Sequence, residues 1–428
     1  MLERLVVISG KLKTDDMARH GTMMVAFGLL GGLFSYLYQI SMGILLTPED
    51  YGTLFSLISL LIIIGIFSQT IITAIAKFTS KLKAEGGLGQ VNYLWQFSLK
   101  RTFLLGAAAF AFVACLSPVI SRFLNLDNNF YPIILFSSLL LFFVVATNWG
   151  TLQGLQRFFT LGSSQVLFNF LRLAFGALLV YLGLSVYGGL AAIPLSCLVV
   201  LLLTLFFLRD LPQAGNEKVK VEGLGSYAGL ALVAIFSLSM LTNVDVVLAK
   251  HYLSAVDAGN YSAISVLGRI AFYAPMGVAV AMFPKTSELF ESGGQHHRIF
   301  LRALMLTLLM AGVVVLVYWL FPDFIINSLF GGKYPFAIPY LFKYGLAMAF
   351  FALSFILMNY FLSLNQTKMA FSLVAAMLLQ LVLIILFHDS IARLVDVMLI
   401  CGIMSTAFML PFYLKVRRSV SRGSSESH

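Results

Sequence analysis

Residues 163–183 read SSQVLFNFLRLAFGALLVYLG, a run in which Arg172 is the only charged residue. As a helix rising 1.5 Å per residue it would be about 30 Å long, the thickness of a bilayer's hydrocarbon core. The rest of the chain has the same character. Of its 428 residues 60% are hydrophobic and only 11% charged, with a mean hydropathy of +0.94. A soluble domain holds about 45–50% apolar and about 25% charged residues. The sequence is therefore that of an integral membrane protein, and the fold class expected is all-α and polytopic.

Scanning with a window of membrane length gives twelve spans, at 23–46, 52–76, 102–121, 130–150, 163–183, 186–208, 225–249, 261–283, 303–321, 339–362, 369–387 and 397–414. Residues 1–21 mix Glu3, Asp15 and Asp16 with Arg4, Lys11, Lys13 and Arg19, which is not the pattern of a cleaved leader. With the N-terminus inside, 21 of the 28 lysines and arginines fall on cytoplasmic segments and 4 on external ones. Basic residues accumulate on cytoplasmic loops, so both termini are expected in the cytoplasm and the chain in the cytoplasmic (inner) membrane. The net charge of +10 follows from this topology and from attraction to anionic lipid. It calls for no nucleic acid.

Shifting the chain by 207 residues aligns LTPEDYGTLFSL (46–57) with LSAVDAGNYSAI (253–264), and KFTSKL (77–82) with PKTSEL (284–289). Nine of 37 positions are identical, among them Asp50/Asp257, Gly52/Gly259 and the Thr-Ser pairs 79–80 and 286–287 at the membrane borders. Spans 1–6 and 7–12 thus read as two six-helix lobes. Six being even, the repeat is parallel, a transporter arrangement with the substrate path expected between the halves. The domains expected are an N-terminal lobe (1–208), a cytoplasmic linker (209–224), a C-terminal lobe (225–414) and a polar, disordered tail (415–428). Pro48, Asp50 and Gly52 read as a structural turn entering span 2, and Gly28 with Gly32 as a close-packing pair.

Polar residues inside the spans are the candidate substrate contacts. Gln165, Asn169 and Arg172 follow i, i+4, i+7, one face of span 5, with Arg172 about 14 Å deep. Ser262, Ser265, Arg269 and Tyr273 form a matching stripe on span 8, followed by Pro275 and Gly277, which can kink the helix. Gln39 lies in span 1. Arginine this deep is costly unless it faces water or a ligand, and its planar fork suits phosphate or carboxylate; the structural alternative is hydrogen bonding to neighbouring carbonyls. Lys343 lies shallow enough in span 10 to snorkel to the external interface. Asp245, near the outer end of span 7, would pair with Lys250 or face water, or else serve as a coupling carboxylate or a partner for an arginine.

No HExxH, GxSxG, GxxxxGK[ST] or GxGxxG motif occurs, so neither a catalytic site nor a cofactor is expected. Cys115, Cys197 and Cys401 sit alone in apolar runs, which points to neither a disulfide nor a metal.

Three stretches, LTPEDYG (46–52), NWGTLQGLQRF (148–158) and TNVDVVLAKHYLSAVDAGNYSAISVLGRI (242–270), together resemble the polysaccharide-transporter flippases of the multidrug/oligosaccharidyl-lipid/polysaccharide exporter superfamily. The resemblance runs through nearly the whole chain. It implies two lobes around a central cavity lined by spans 1, 2, 7 and 8, which favours Arg269 over Arg172. It further implies alternating access that moves undecaprenyl-pyrophosphate-linked sugar repeats outward for surface polysaccharide biosynthesis. The partners it implies are the lipid-linked glycan, membrane lipids, a polysaccharide polymerase and glycosyltransferases. Two alternatives stand beside it: a cation-coupled multidrug exporter of the same fold, and a non-transporting scaffold of a glycan-assembly complex. Spans 1, 2, 4, 5 and 8 carry no deep carboxylate for a cationic drug, which counts against the first. The arginine stripes would be purposeless in the second.

Overall fold

The computed structural model describes residues 2–212, 226–292 and 294–425, and every regular element among them is helical. Eleven helical stretches of the described residues are long and apolar enough to cross a membrane. The longest, Phe158–Leu208, holds two of the expected spans. It breaks at Gly183, whose φ of +90° lies in the left-handed region that glycine enters without a side-chain clash. On either side of the break Phe158–Leu179 and Ser185–Leu208 pack against each other, so spans 5 and 6 form a hairpin. The protein is a multi-pass α-helical membrane protein.

The chain divides into two compact units, one of Met1–Leu45, Phe67–Arg122 and Leu126–Glu222, the other of Leu46–Ile66, Phe123–Asn125 and Gly223–His428. In the first, Leu2–Leu45 packs along Phe158–Leu179, and Phe130–Gly154 packs along Ser185–Leu208. Several polar groups buried in this unit are satisfied across helix boundaries, as membrane interiors favour. Trp95 donates to Asn148 Oδ1 at 2.8 Å, Asn148 donates to Thr204 at 2.9 Å, and Tyr38 donates to the Gly189 carbonyl at 2.9 Å. In the second unit, Leu341–Ser363 packs on Ile391–Ser425, His296–Leu320 and Met276–Glu291. Gly402 makes the first of these contacts close: a Cβ there would lie 2.8 Å from the Ala347 carbonyl oxygen.

Four sequence expectations need adjustment. The first concerns the lobe boundary, because Leu46–Ile66 groups with the second unit and not with the rest of residues 1–208. Gly52 lies against Gly259, Lys333 donates to the Leu46 carbonyl at 3.3 Å, and Tyr51 meets the rings of Phe330 and Tyr334. Gly52 is thus needed for close approach more than for a turn. Secondly, Gly28 and Gly32 have open space where a Cβ would stand; Gly31 is the glycine that faces span 5, near Val166 and Asn169. Thirdly, the disordered tail expected over 415–428 is helical up to Ser425, a continuation of Ile391–Ser425. No proline follows Pro411 to stop it. Residues 426–428, and residues 213–225 of the expected linker, lie outside the described residues.

The fourth concerns span 8, which is broken into Ala255–Gly268, Ile270–Tyr273 and Met276–Glu291. Pro275 supplies no N–H for the Ala271 carbonyl and its ring crowds that carbonyl. The disturbance reaches farther upstream than a proline kink alone suggests, ending the first segment at Gly268 and placing Arg269 in the break. There the Tyr318 hydroxyl caps the Leu267 carbonyl at 2.6 Å.

Candidate functional site

In the first unit Arg172 is half-buried on the joint between Leu2–Leu45 and Phe158–Leu179. Its Nη2 donates to the Ser35 hydroxyl at 2.7 Å, and its guanidinium carbon sits 4.7 Å from the centre of the Tyr38 ring and 5.9 Å from that of Phe168. Contacts of this kind hold a cation by the negative face of the ring. Gly176 makes room for the arrangement, since a Cβ there would lie 2.7 Å from Tyr38 Cε2. The Ser35 carbonyl accepts from Gln39 Nε2 at 3.3 Å, and the Gln165 carbonyl accepts from Asn169 Nδ2 at 3.0 Å. Arg172 and Asn169, the latter beside Gly31, thus lie on this helix joint, while Gln39 and Gln165 take part in bonds within their own helices, and Ser35 links Gln39 to Arg172. Arg172 makes no ion pair among the described residues, and its Nε has no hydrogen-bond partner.

In the second unit Arg269 is 5% exposed and Asp245 fully buried, with Nη2 and Oδ1 3.6 Å apart. The other carboxylate oxygen of Asp245 accepts from Tyr261 at 3.0 Å and from Tyr344 at 2.6 Å, and the Ser265 hydroxyl lies 3.0 Å from the Tyr344 oxygen. Three helices and the break in span 8 build this cluster: Asp245 comes from Ser226–Tyr252, Tyr261 and Ser265 from Ala255–Gly268, Arg269 from the break, and Tyr344 from Leu341–Ser363. Gly268 is what lets Tyr344 in, because a Cβ there would lie 2.2 Å from Tyr344 Cδ1.

The stripe read on span 8 is split by the break. Ser262 turns to its own helix, donating to the Ala258 carbonyl at 2.8 Å, Ser265 and Arg269 are buried in the cluster, and Tyr273 is 38% exposed. An i, i+7, i+11 stripe stays on one face only while the helix is continuous. Lys343 pairs with Asp396, both side chains roughly half exposed, so its charge is met by a carboxylate. No group of three or more His, Cys, Asp or Glu among the described residues is placed to hold a metal ion, and all three cysteines are free.

Ser35, Tyr38, Tyr261 and Tyr344 escape a reading based on charge. The signal for the ion pair was charge alone: Asp245, seven residues before the helix end at Tyr252, and Arg269, just past Ala255–Gly268, are opposite charges on the consecutive spans 7 and 8. A carboxylate and a guanidinium on consecutive spans are natural partners. Arg269→Ala would leave that carboxylate buried without an opposite charge, at a cost of about 3–5 kcal/mol. Thermal unfolding in detergent should show a large drop in midpoint that Asp245→Asn recovers in part. An unchanged midpoint for Arg269→Ala would contradict the pairing.

The profile of a family described as polysaccharide biosynthesis protein matches residues 42–339. A search of curated protein sequences found no match. Among solved structures, a multidrug resistance MATE family transporter of the MOP superfamily in an inward-facing conformation superposes with a TM-score of 0.77, at 15% identity over 92% of this chain and 96% of that one. A MOP superfamily transporter from Pyrococcus furiosus, described as having a binding pocket of reverse polarity, gives 0.64 at 15% identity, covering 94% and 95%. The lipid II flippase MurJ in an inward closed conformation gives 0.67 at 14% identity, covering 91% and 87%. The fold is that of MOP superfamily transporters, and the family match extends over more than half of the chain. This chain belongs to the polysaccharide biosynthesis protein family.

Proposed function

We propose that the protein flips an undecaprenyl-pyrophosphate-linked oligosaccharide across the cytoplasmic membrane by alternating access through a cationic cavity, for surface polysaccharide biosynthesis. The observation that carries this reading is Arg172, a guanidinium inside the membrane with no carboxylate partner among the described residues, held by Ser35 and the rings of Tyr38 and Phe168, with Asn169 and Gln165 on its own helix face and Gln39 one turn from Ser35. An intramembrane charge without a counter-charge is a functional candidate, and a guanidinium's natural ligand is an oxyanion such as a phosphate. Membership of a polysaccharide biosynthesis family supports an oxyanion carried by a glycan. Arg172 is the principal anchor in this reading. Arg269, already facing Asp245, is the secondary one. Ser265 and Tyr273 complete the proposed contacts, and Lys343 with Asp396 is an external ion pair.

Asp245 gives the multidrug-exporter reading a buried carboxylate. That carboxylate faces Arg269 and accepts two phenol hydrogen bonds, so it offers a cationic drug little net charge. Proteoliposomes separate the two readings. The protein should translocate a fluorescent pyrophosphate-linked oligosaccharide and leave a lipophilic cationic dye at its passive rate. Carrier-mediated dye movement without movement of the glycolipid would replace the flippase reading with the exporter one.

A further inference from the structure

Resting on the anionic-substrate reading above, we propose that Tyr261 and Tyr344 are positioning residues that hold Asp245 off Arg269, keeping guanidinium donors open for the substrate's pyrophosphate. A buried guanidinium beside a carboxylate ordinarily closes into two parallel hydrogen bonds. Here it does not. The nearest approach is 3.6 Å, beyond hydrogen-bond reach, and Asp245 Oδ1, Arg269 Nε and Arg269 Nη2 all lack hydrogen-bond partners. Leaving such groups unpaired in a dry interior is costly, so something else must hold the pair open.

The restraint is visible on the other carboxylate oxygen, which accepts both phenols. The two rings meet edge to face, 5.8 Å apart at 90°, an arrangement aromatic pairs favour. Tyr344 is wedged against Gly268, which has no Cβ to displace it, and Ser265 lies against its oxygen. One residue upstream of Gly268, the Tyr318 hydroxyl fixes the Leu267 carbonyl. Carboxylate and break are thus anchored separately, by different tyrosines, and Arg269 stands between them with undonated N–H groups. Those groups match a ligand that brings oxygen acceptors of its own, as a pyrophosphate does. The neighbouring carboxylate keeps that ligand's grip loose enough for release.

Tyr344 also interacts with the guanidinium, so Tyr261 is the cleaner residue to change. The test is equilibrium binding of undecaprenyl pyrophosphate, and separately of inorganic pyrophosphate, to the purified full-length protein. Tyr261→Phe frees one side of the carboxylate to close on Arg269 and should weaken binding of both probes about tenfold, the worth of one hydrogen bond to a charged group. Asp245→Asn alone should bind as tightly as wild type or tighter. Tyr261→Phe with Asp245→Asn should return to within about threefold of wild type, because an amide no longer recaptures the arginine. Unchanged binding by Tyr261→Phe, or a double variant as weak as the single one, overturns the proposal and leaves Tyr261 a packing residue. A loss confined to the lipid probe places the effect on the polyprenyl chain and overturns it as well. If wild type binds neither probe, the anionic-substrate reading itself fails and takes this proposal with it.

Discussion

Under the proposed flippase function, Arg172→Ala should lower transport of a pyrophosphate-linked glycolipid by roughly ten- to a hundredfold, equivalent to losing a charge-assisted hydrogen bond of about 1.5–3 kcal/mol, while the unfolding midpoint hardly moves. The two halves of this expectation have one cause. Arg172 is held by a hydroxyl and by ring faces, and no carboxylate depends on it. Removing it strands no opposite charge and relieves the cost of keeping a guanidinium out of water. What disappears is the fork that would meet the substrate. Arg172→Lys keeps a point charge but loses the bidentate geometry and the stacking on Tyr38, so it should recover only part of the rate. Transport assayed at matched insertion, with midpoints measured in parallel, checks both. Arg269→Ala should show the contrary pattern, losing stability together with activity.

The second large effect is structural. Gly259→Ala places a Cβ 2.0 Å from the Pro48 carbonyl oxygen and 2.5 Å from its carbon, and both are backbone atoms that cannot rotate away. The N-terminal ends of Pro48–Ala84 and Ala255–Gly268 must then separate. Overpacking of this kind costs about 1–3 kcal/mol, and more where the obstacle is backbone. Gly52→Ala meets Gly259 N at 2.9 Å and should cost less. Thermal unfolding of the two variants should rank Gly259→Ala well below Gly52→Ala and wild type. Equal midpoints would show that the helices are not pressed together there. The two glycines are the pair matched by the 207-residue repeat, so equivalent positions of the repeat touch each other.

The sequence carried the spans and the deep arginines because both are local signals. Twenty apolar residues specify a crossing, and a lone arginine in 163–183 is conspicuous whatever surrounds it. The face shared by Gln165, Asn169 and Arg172 was also legible, because Phe158–Leu179 is an unbroken helix and its period of 3.6 holds. The stripe on span 8 was not, since its phase is lost where Pro275 and the Tyr344 ring beside Gly268 interrupt the helix. Periodicity also names the face of one helix without naming its neighbour. Nothing in the sequence near Arg172 points to Ser35 and Tyr38, which lie 137 and 134 positions away, and nothing near Asp245 points to Tyr344, 99 positions on. The ranking of the two arginines changed for that reason: Arg269 has a buried counter-charge from another span, and Arg172 has none among the described residues.

The central claim is that this membrane protein moves an anionic, lipid-linked glycan by means of an intramembrane guanidinium. Its most direct test is the appearance of a fluorescent undecaprenyl-pyrophosphate oligosaccharide in the opposite leaflet of proteoliposomes containing wild type, Arg172→Ala or no protein. The account predicts rapid translocation by wild type and a rate for Arg172→Ala lower by roughly ten- to a hundredfold. Wild-type vesicles no faster than protein-free ones, or Arg172→Ala as fast as wild type, would contradict it.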